Sequence, residues 1–228
     1  MTMMTAILSL PIAYLIGSIP SGWLVVKLFT GQDVRFIESG RTGGTNAMRA
    51  GGPFAGLLTA VLDAPKGAAA VWVSQALSTG IDWTAAMSGV LAILGHNYSA
   101  FLIEKDENGK LHFRGGAGGA TTLGAAIGLW LNSWMIILPF AAIFYVVVGY
   151  ASLTTISIAF SAMGVFTIRA AQGMNPWAYA LFGVAALAIV VYALRPNLIR
   201  LKEGTERQVK LLARIFTKKY HKKDKEEK

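Results

Sequence analysis

Cysteine is absent from the 228 residues. That removes disulfides, thiolate nucleophiles and cysteine metal ligands. Histidine is nearly absent as well. His96, His112 and His221 lie far apart and do not resemble a metal cluster, so no metal and no cofactor is expected. Charge is scarce, at 14% of residues against 54% hydrophobic, and mean hydropathy is +0.50. That is too apolar for an ordinary soluble domain. No Lys or Arg precedes Lys27, whereas a signal peptide needs a basic leading region. The first apolar stretch is therefore expected to be a retained membrane span.

Apolar segments occur at 4–29, 54–78, 83–103, 119–132, 134–151, 153–172 and 177–195. A hydrocarbon core of about 30 Å needs about 20 helical residues. The pattern predicts an all-α, polytopic membrane protein with about seven transmembrane helices. The segment 119–132 is short for a full crossing. Convincing internal repeats are absent. The hydrophilic excursion 104–114 centres on Asn108-Gly109, which predicts a tight turn and a small hairpin.

Twelve of the 21 Lys and Arg lie from Arg195 onward, and net charge is +9. Seven spans with the N-terminus outside place every basic residue except Arg169 on or near the inner side. This positive-inside pattern predicts a cytoplasmic C-terminus. The division expected is a transmembrane domain over 1–196 and a basic cytoplasmic tail over 197–228. A basic tail beside a span suits anionic headgroups, so membrane lipids are expected partners and nucleic acid is not.

Two polar loops interrupt this apolar chain, and the same orientation puts both on the cytoplasmic face. Residues 39–52 read Ser-Gly-Arg-Thr-Gly-Gly-Thr-Asn-Ala-Met-Arg-Ala-Gly-Gly. Glycines let backbone N–H groups converge, while Ser39, Arg41, Thr45, Asn46 and Arg49 add side-chain donors. The combination predicts a phosphate cradle, against the plainer reading of arginines touching headgroups. Residues 115–121, Gly-Gly-Ala-Gly-Gly-Ala-Thr, are expected to open a helix near Ala120 whose N-terminus favours an anion. Close helix packing by small residues is the competing reading. No Gly-Lys-Ser/Thr follows, so this is not a Walker loop.

Asp63 and Lys66 share a helical face inside an apolar segment, either as a structural ion pair or with Lys66 reaching the site. His96 is a weak candidate for proton transfer and more often such a residue is structural. Neither a His-x4-Asp dyad nor a Gly-x-Ser-x-Gly elbow occurs. Arg195, Asn197 and Arg200 sit where the last span ends and could close the site.

Six blocks then coincide in order: Gly-Ser-Ile-Pro-Ser-Gly (17–22), Ser-Gly-x-x-Gly-x-Thr-Asn-x-x-Arg (39–49), Leu-Asp-x-x-Lys-Gly (62–67), Gly-His (95–96), Gly-Gly-x-Gly-x-Ala-Thr (115–121) and Arg-x-Asn-x-x-Arg-Leu-x-x-Gly-x-Glu (195–206). Together they resemble the bacterial integral-membrane acyl-phosphate:glycerol-3-phosphate acyltransferases. The resemblance implies a plasma-membrane enzyme with seven helices and a cytoplasmic site. It implies transfer of an acyl chain from acyl phosphate to the 1-position of glycerol 3-phosphate, giving lysophosphatidic acid and phosphate. The family's glycerol-phosphate serine and arginine correspond to Ser39 and Arg49. Its phosphate-holding loop corresponds to Gly115, Gly116 and Gly118 with Thr121 beyond, and its C-terminal asparagine to Asn197. Three positions depart from the family pattern: Arg41 for asparagine, Ala117 for lysine and Leu194 for histidine. Arg41 is the expected substitute for the missing cation. The alternative is a diverged, non-catalytic or transport protein that binds a phosphate ester or phospholipid.

Overall fold

A computed structural model describes residues 3–78 and 81–208. The lysine-rich stretch at the end of the expected tail, 209–228, lies outside the described residues. The chain runs through α1 (Met3–Ser18), α2 (Ser21–Thr30), α3 (Gly44–Leu77), α4 (Asp82–Asn97), a hairpin of β1 (Ile103–Lys105) and β2 (Leu111–Phe113), then α5 (Gly119–Leu129), α6 (Trp134–Val148), α7 (Ala151–Ala171), α8 (Trp177–Ala193) and α9 (Arg195–Lys202). Each apolar segment of the sequence carries a helix, although in 83–103 the helix ends at Asn97 and the chain turns into β1. This is a multi-pass helical membrane protein. Among the described residues four stretches are long and apolar enough to cross a membrane, or five when α8 and α9, bent by 60°, count as one.

Helix breaks fall where the sequence supplies breakers. Pro20 precedes α2 and divides the first apolar stretch into two helices. Gly52, at φ 84° and ψ 177°, breaks α3 just before Pro53. Only a glycine takes that backbone region without strain. The short limb before the break carries Asn46 and Arg49 at the head of a long apolar limb. With its 11 residues, α5 is about 16 Å long, roughly half a hydrocarbon core.

Small residues let the helices approach closely, as is common between membrane helices. Gly67 of α3 abuts the Thr121 carbonyl of α5, and Gly124 of α5 abuts the Ala64 carbonyl of α3. Gly17 and Gly95 make the same kind of contact between α1 and α4. The interior is built largely of alanine, with Phe166 edge-on to Tyr179 and Phe182 at 5.9 and 6.0 Å. Large apolar side chains face outward instead. On α6, Ile137 and Ala141 are buried while Ile136, Leu138, Phe140, Ile143 and Val147 are exposed. Such an arrangement suits lipid as solvent.

The expected hairpin forms, with Ile103 paired to Phe113 and Lys105 to Leu111. Gly109 takes φ 81°, and the Asp106 carboxylate accepts from the backbone N–H groups of Asn108 and Lys110. Glu104 ties the hairpin to Arg35, at 3.0 Å, and to Arg114, at 2.9 Å.

Candidate active site

The first polar loop is fastened before any ligand arrives. Asp33 accepts from the Trp23 indole at 3.0 Å, from the Arg35 backbone at 3.0 Å and from the Arg35 guanidinium at 2.6 Å. These bonds to Arg35 hold the Asp33 carboxyl well below the usual carboxylate range. The buried Asn46 amide donates to the carbonyls of Val34, Ile37 and Arg41 at 3.2, 2.9 and 2.9 Å. Asn46 therefore braces the loop that presents Ser39 and Arg41.

The second loop is strapped by backbone. Thr42 N–H donates to the Gly115 carbonyl at 3.1 Å, and Gly116 N–H to the His96 carbonyl at 2.9 Å. The first bond joins the two loops directly. A β-carbon at Gly116 would overlap the His96 ring. Gly118 turns the chain at φ 92° into α5. The first N–H groups of α5 have no intrahelical acceptors and point out of the helix end.

Two clefts open where these loops meet the α8–α9 bend. The smaller, about 180 Å³, is lined by Ser39, Arg49, Asn197 and Arg200 with Glu38, Thr205, Glu206 and Arg207. Arg49 is exposed, and among the described residues nothing pairs with its guanidinium. Glu206 accepts from the Asn197 amide at 2.9 Å and from Arg200 at 3.3 Å. Arg207 reaches Glu38 at 2.6 Å. The chain after α9 thus folds back onto the first loop, and an isolated bridge joins Gln208 to Tyr150.

The larger cleft, about 600 Å³, takes Ser39, Arg41, Asn97, Gly115 and Gly116 along one side, with Phe113, Tyr192 and Ile199 among its walls. Arg41 spans it, donating to the carbonyls of Gly116 and Ala193. Both acceptors are neutral. Burial and then the nearby Arg200 charge push the Arg41 guanidinium down from its usual range. A half-buried cation bonded to carbonyls alone keeps its attraction for an anion. Ala117 and Leu194 pack with Ala159 and Val190 in one apolar cluster next to it. Residues 117 and 194 therefore fall on one patch, and Arg41 passes beside that patch.

Ser39 borders both clefts. The structure brings Ser39, Arg49 and Asn197 together in one, and Ser39, Arg41, Gly115 and Gly116 in the other. Thr45, Gly118, Thr121 and Lys66 line neither. The buried Lys66 ammonium lies 2.8 Å from Asp63 and donates to the Ile19 carbonyl at 2.8 Å. It is engaged within the bundle. His96 Nδ1 lies 3.6 Å from the same Asp63 oxygen, while its other nitrogen faces Gly116. Thr121 is buried and donates to the Asp63 carbonyl at 3.3 Å. Lys66, Asp63, His96 and Thr121 thus form a polar seam beneath the second loop. Glu38, Glu206 and Asn97 received no role from sequence. Glu206 closes the last of the six blocks, and its spacing from Asn197 and Arg200 was the available signal. Glu38 and Asn97 gave none.

Fold and site together define a polytopic helical membrane protein with two joined, arginine-lined clefts at one end of its bundle. The chain belongs to the glycerol-3-phosphate acyltransferase family, whose model matches residues 7–204. It is 37% identical over 205 residues to glycerol-3-phosphate acyltransferase 2 of Moorella thermoacetica, covering 89% of this chain and 97% of that one. It is 35% identical over 201 residues to the glycerol-3-phosphate acyltransferase of Syntrophomonas wolfei, covering 88% and 95%. The crystal structure of PlsY, an integral membrane glycerol 3-phosphate acyltransferase, in its glycerol 3-phosphate form is similar with a TM-score of 0.77 at 30% identity, over 92% of this chain and 98% of that one.

Proposed function

We propose that this protein transfers an acyl group from acyl phosphate to the 1-hydroxyl of glycerol 3-phosphate, giving lysophosphatidic acid and phosphate for phospholipid synthesis. The observation that carries this is the shared border: Ser39 joins two clefts, each holding its own arginines. Two phosphate-bearing substrates need two such sites with their reacting ends in contact. The smaller cleft suits glycerol 3-phosphate, with Arg49 free as a fork donor and Ser39 and Asn197 beside it. The larger suits acyl phosphate. Arg41 and the backbone of Gly115 and Gly116 face its phosphate, and Phe113, Tyr192 and Ile199 offer apolar contact to its chain. Asn46, Thr45, Lys66 and Thr121 support these loops from behind.

Acyl phosphate is an activated mixed anhydride, so no covalent nucleophile on the protein is required. The work left to the protein is to hold two anions in contact and to stabilise the departing phosphate. A substrate phosphate oxygen serves as base, and His96 positions the second loop. Seven crossings, an outer N-terminus and a cytoplasmic active site are part of the same proposal. Basic residues at the loop end of the bundle support that orientation, as they do a plasma-membrane location and a tail over 197–228 that touches lipid headgroups.

The test is phosphate release from acyl phosphate by purified protein in lipid nanodiscs. Release that requires glycerol 3-phosphate, and falls by about tenfold or more in Arg49→Ala when glycerol 3-phosphate is below saturation, is the expected result. Binding of both compounds with no release at saturation would instead favour a non-catalytic binder, the reading that Ala117 and Leu194 suggest.

A further inference from the structure

Asn97 ends α4 and is 5% exposed. Its side-chain nitrogen and oxygen both lack a hydrogen-bond partner among the described residues. Buried amides in folded proteins are nearly always bonded. The other two asparagines at the site each leave only Oδ1 without a partner among the described residues. Asn46 gives its N–H groups to three carbonyls, and Asn197 gives one to Glu206. Asn97 alone of the three has both ends free. Its carboxamide lies beside Gly118, where a β-carbon would stand 2.9 Å from Oδ1. Asn97 is among the residues that line the larger cleft, together with Arg41 and Gly116. An amide so placed has its bonding capacity reserved for something that enters that cleft.

The chemistry of the neighbours narrows what that is. Phosphate groups already have arginines to meet them in both clefts. A neutral amide matches a group that is neutral at rest and gains charge during reaction. On the reading that the larger cleft takes acyl phosphate, that group is the acyl carbonyl oxygen. We propose that Asn97 Nδ2 donates to this oxygen and is a catalytic residue of the transfer. The 1-hydroxyl oxygen bonds to the carbonyl carbon, and charge gathers on the carbonyl oxygen. The bond from carbon to the phosphate oxygen then breaks with its electron pair, and the hydroxyl proton leaves with the phosphate. A donor placed at that oxygen is bonded most strongly midway, which lowers the barrier without tightening the resting complex.

The experiment compares steady-state turnover of wild type, Asn97→Ala and Asn97→Asp in nanodiscs, with thermal midpoints as the folding check. Both variants are expected to lose about a hundredfold to a thousandfold in kcat, with the KM for glycerol 3-phosphate changed less than about threefold. The aspartate, equal in size and lacking the donor, loses at least as much as alanine. A second measurement needs no turnover. Wild type should bind an acyl phosphonate more tightly than the alkyl phosphonate that lacks the carbonyl, and Asn97→Asp should erase that preference. A wild type that releases no phosphate sinks the acyltransferase reading. A wild type that turns over while Asn97→Ala keeps its kcat within threefold overturns only the role of Asn97. So does a rise in KM at constant kcat, or equal weakening of both phosphonates.

Discussion

The two glycine-rich loops look alike in sequence and are built in opposite ways. The first brings side chains to the clefts, namely Ser39, Arg41 and Arg49, on a backbone braced by Asp33 and Asn46. The second brings almost no side chains. Gly115, Gly116 and Gly118 are crowded against His96 and Asn97, and the polar surface they offer is backbone. The first loop needs glycine at Gly40 and Gly52, which take φ 65° and 84°, but not at Gly43, whereas the second is crowded at each of its cleft glycines. A Cβ at Gly43 would meet nothing within 4 Å, whereas one at Gly116 would overlap the His96 ring. The lesson is that composition alone identifies a cradle and does not tell which atoms do the holding.

The largest expected effect comes from Gly116→Ala. The added methyl must displace either the His96 ring or the loop. Overpacking of this kind costs about 1–3 kcal/mol, and shifting the loop would misplace the cleft wall by enough to cost about a hundredfold in rate. Turnover and thermal midpoint should therefore fall together. Unchanged turnover would mean that the second loop is a packing device and not a cradle.

Arg49→Ala ranks next and separates the two effects. Its guanidinium is exposed and unpaired among the described residues, so the thermal midpoint should hold. Loss of charge-assisted bonds to a phosphate costs about 1.5–3 kcal/mol, or roughly tenfold to a hundredfold in affinity. The KM for glycerol 3-phosphate should rise by that factor. A drop in stability with no kinetic effect would contradict the division between side-chain and backbone loops.

The Arg41 pair of tests probes the border between the loops. Arg41→Ala should weaken acyl phosphate by about tenfold or more through the lost charge. Ala117→Lys should restore part of that loss when added to it, since residue 117 lies in the second loop next to the region Arg41 crosses. In the wild-type background the same lysine should lower stability, because it enters the apolar cluster of Ala159, Val190 and Leu194. If the double variant is no better than Arg41→Ala, Arg41 does not stand in for a cation at 117.

Much of this was readable in the sequence, for identifiable reasons. Apolar runs located the helices from α1 to α8 because lipid imposes length and composition together, while the polar α9 lies beyond the last run. Asn108-Gly109 located the hairpin turn because few residues accept φ 81°. Charge type marked Arg49, which is exposed and unpaired among the described residues. Reach was not readable. Lys66 promised a cation for the site, yet its ammonium is held by Asp63 and the Ile19 carbonyl. Asn46 promised a ligand donor and its amide is bound to three loop carbonyls. Pro20 was visible, but that it divides the first stretch into two helices depends on packing. The return of Glu206 to Asn197 and Arg200 needed the α9 bend, which no local pattern reports.

A smaller effect is expected from acid. The first loop depends on an ionised Asp33, whereas the second is fastened by backbone bonds that do not titrate. Because the folded-state value of Asp33 is depressed, its contribution is present above the ordinary carboxylate range and is lost as pH falls toward the folded value. Asp33→Asn removes that contribution at neutral pH and should cost about 1–2 kcal/mol through weakened charged bonds. The variant should show a flatter decline of stability below pH 4 than wild type. Parallel declines would place the acid sensitivity elsewhere in the chain.

The smallest effect on stability belongs to Gly43→Ala, and it refines the comparison most finely. Gly43 precedes α3 at φ −80° and ψ 166°, a conformation alanine adopts freely, with open space where its methyl would go. Reduced freedom of the unfolded chain should leave stability unchanged or raise it by about 0.4–1 kcal/mol. Kinetics then speak for the ligand alone. If the first loop holds phosphate through side chains, turnover and KM stay near wild type. A tenfold rise in the KM for either substrate, at unimpaired stability, would show that a ligand fills the space beside Gly43, and that the first loop uses its backbone as the second does.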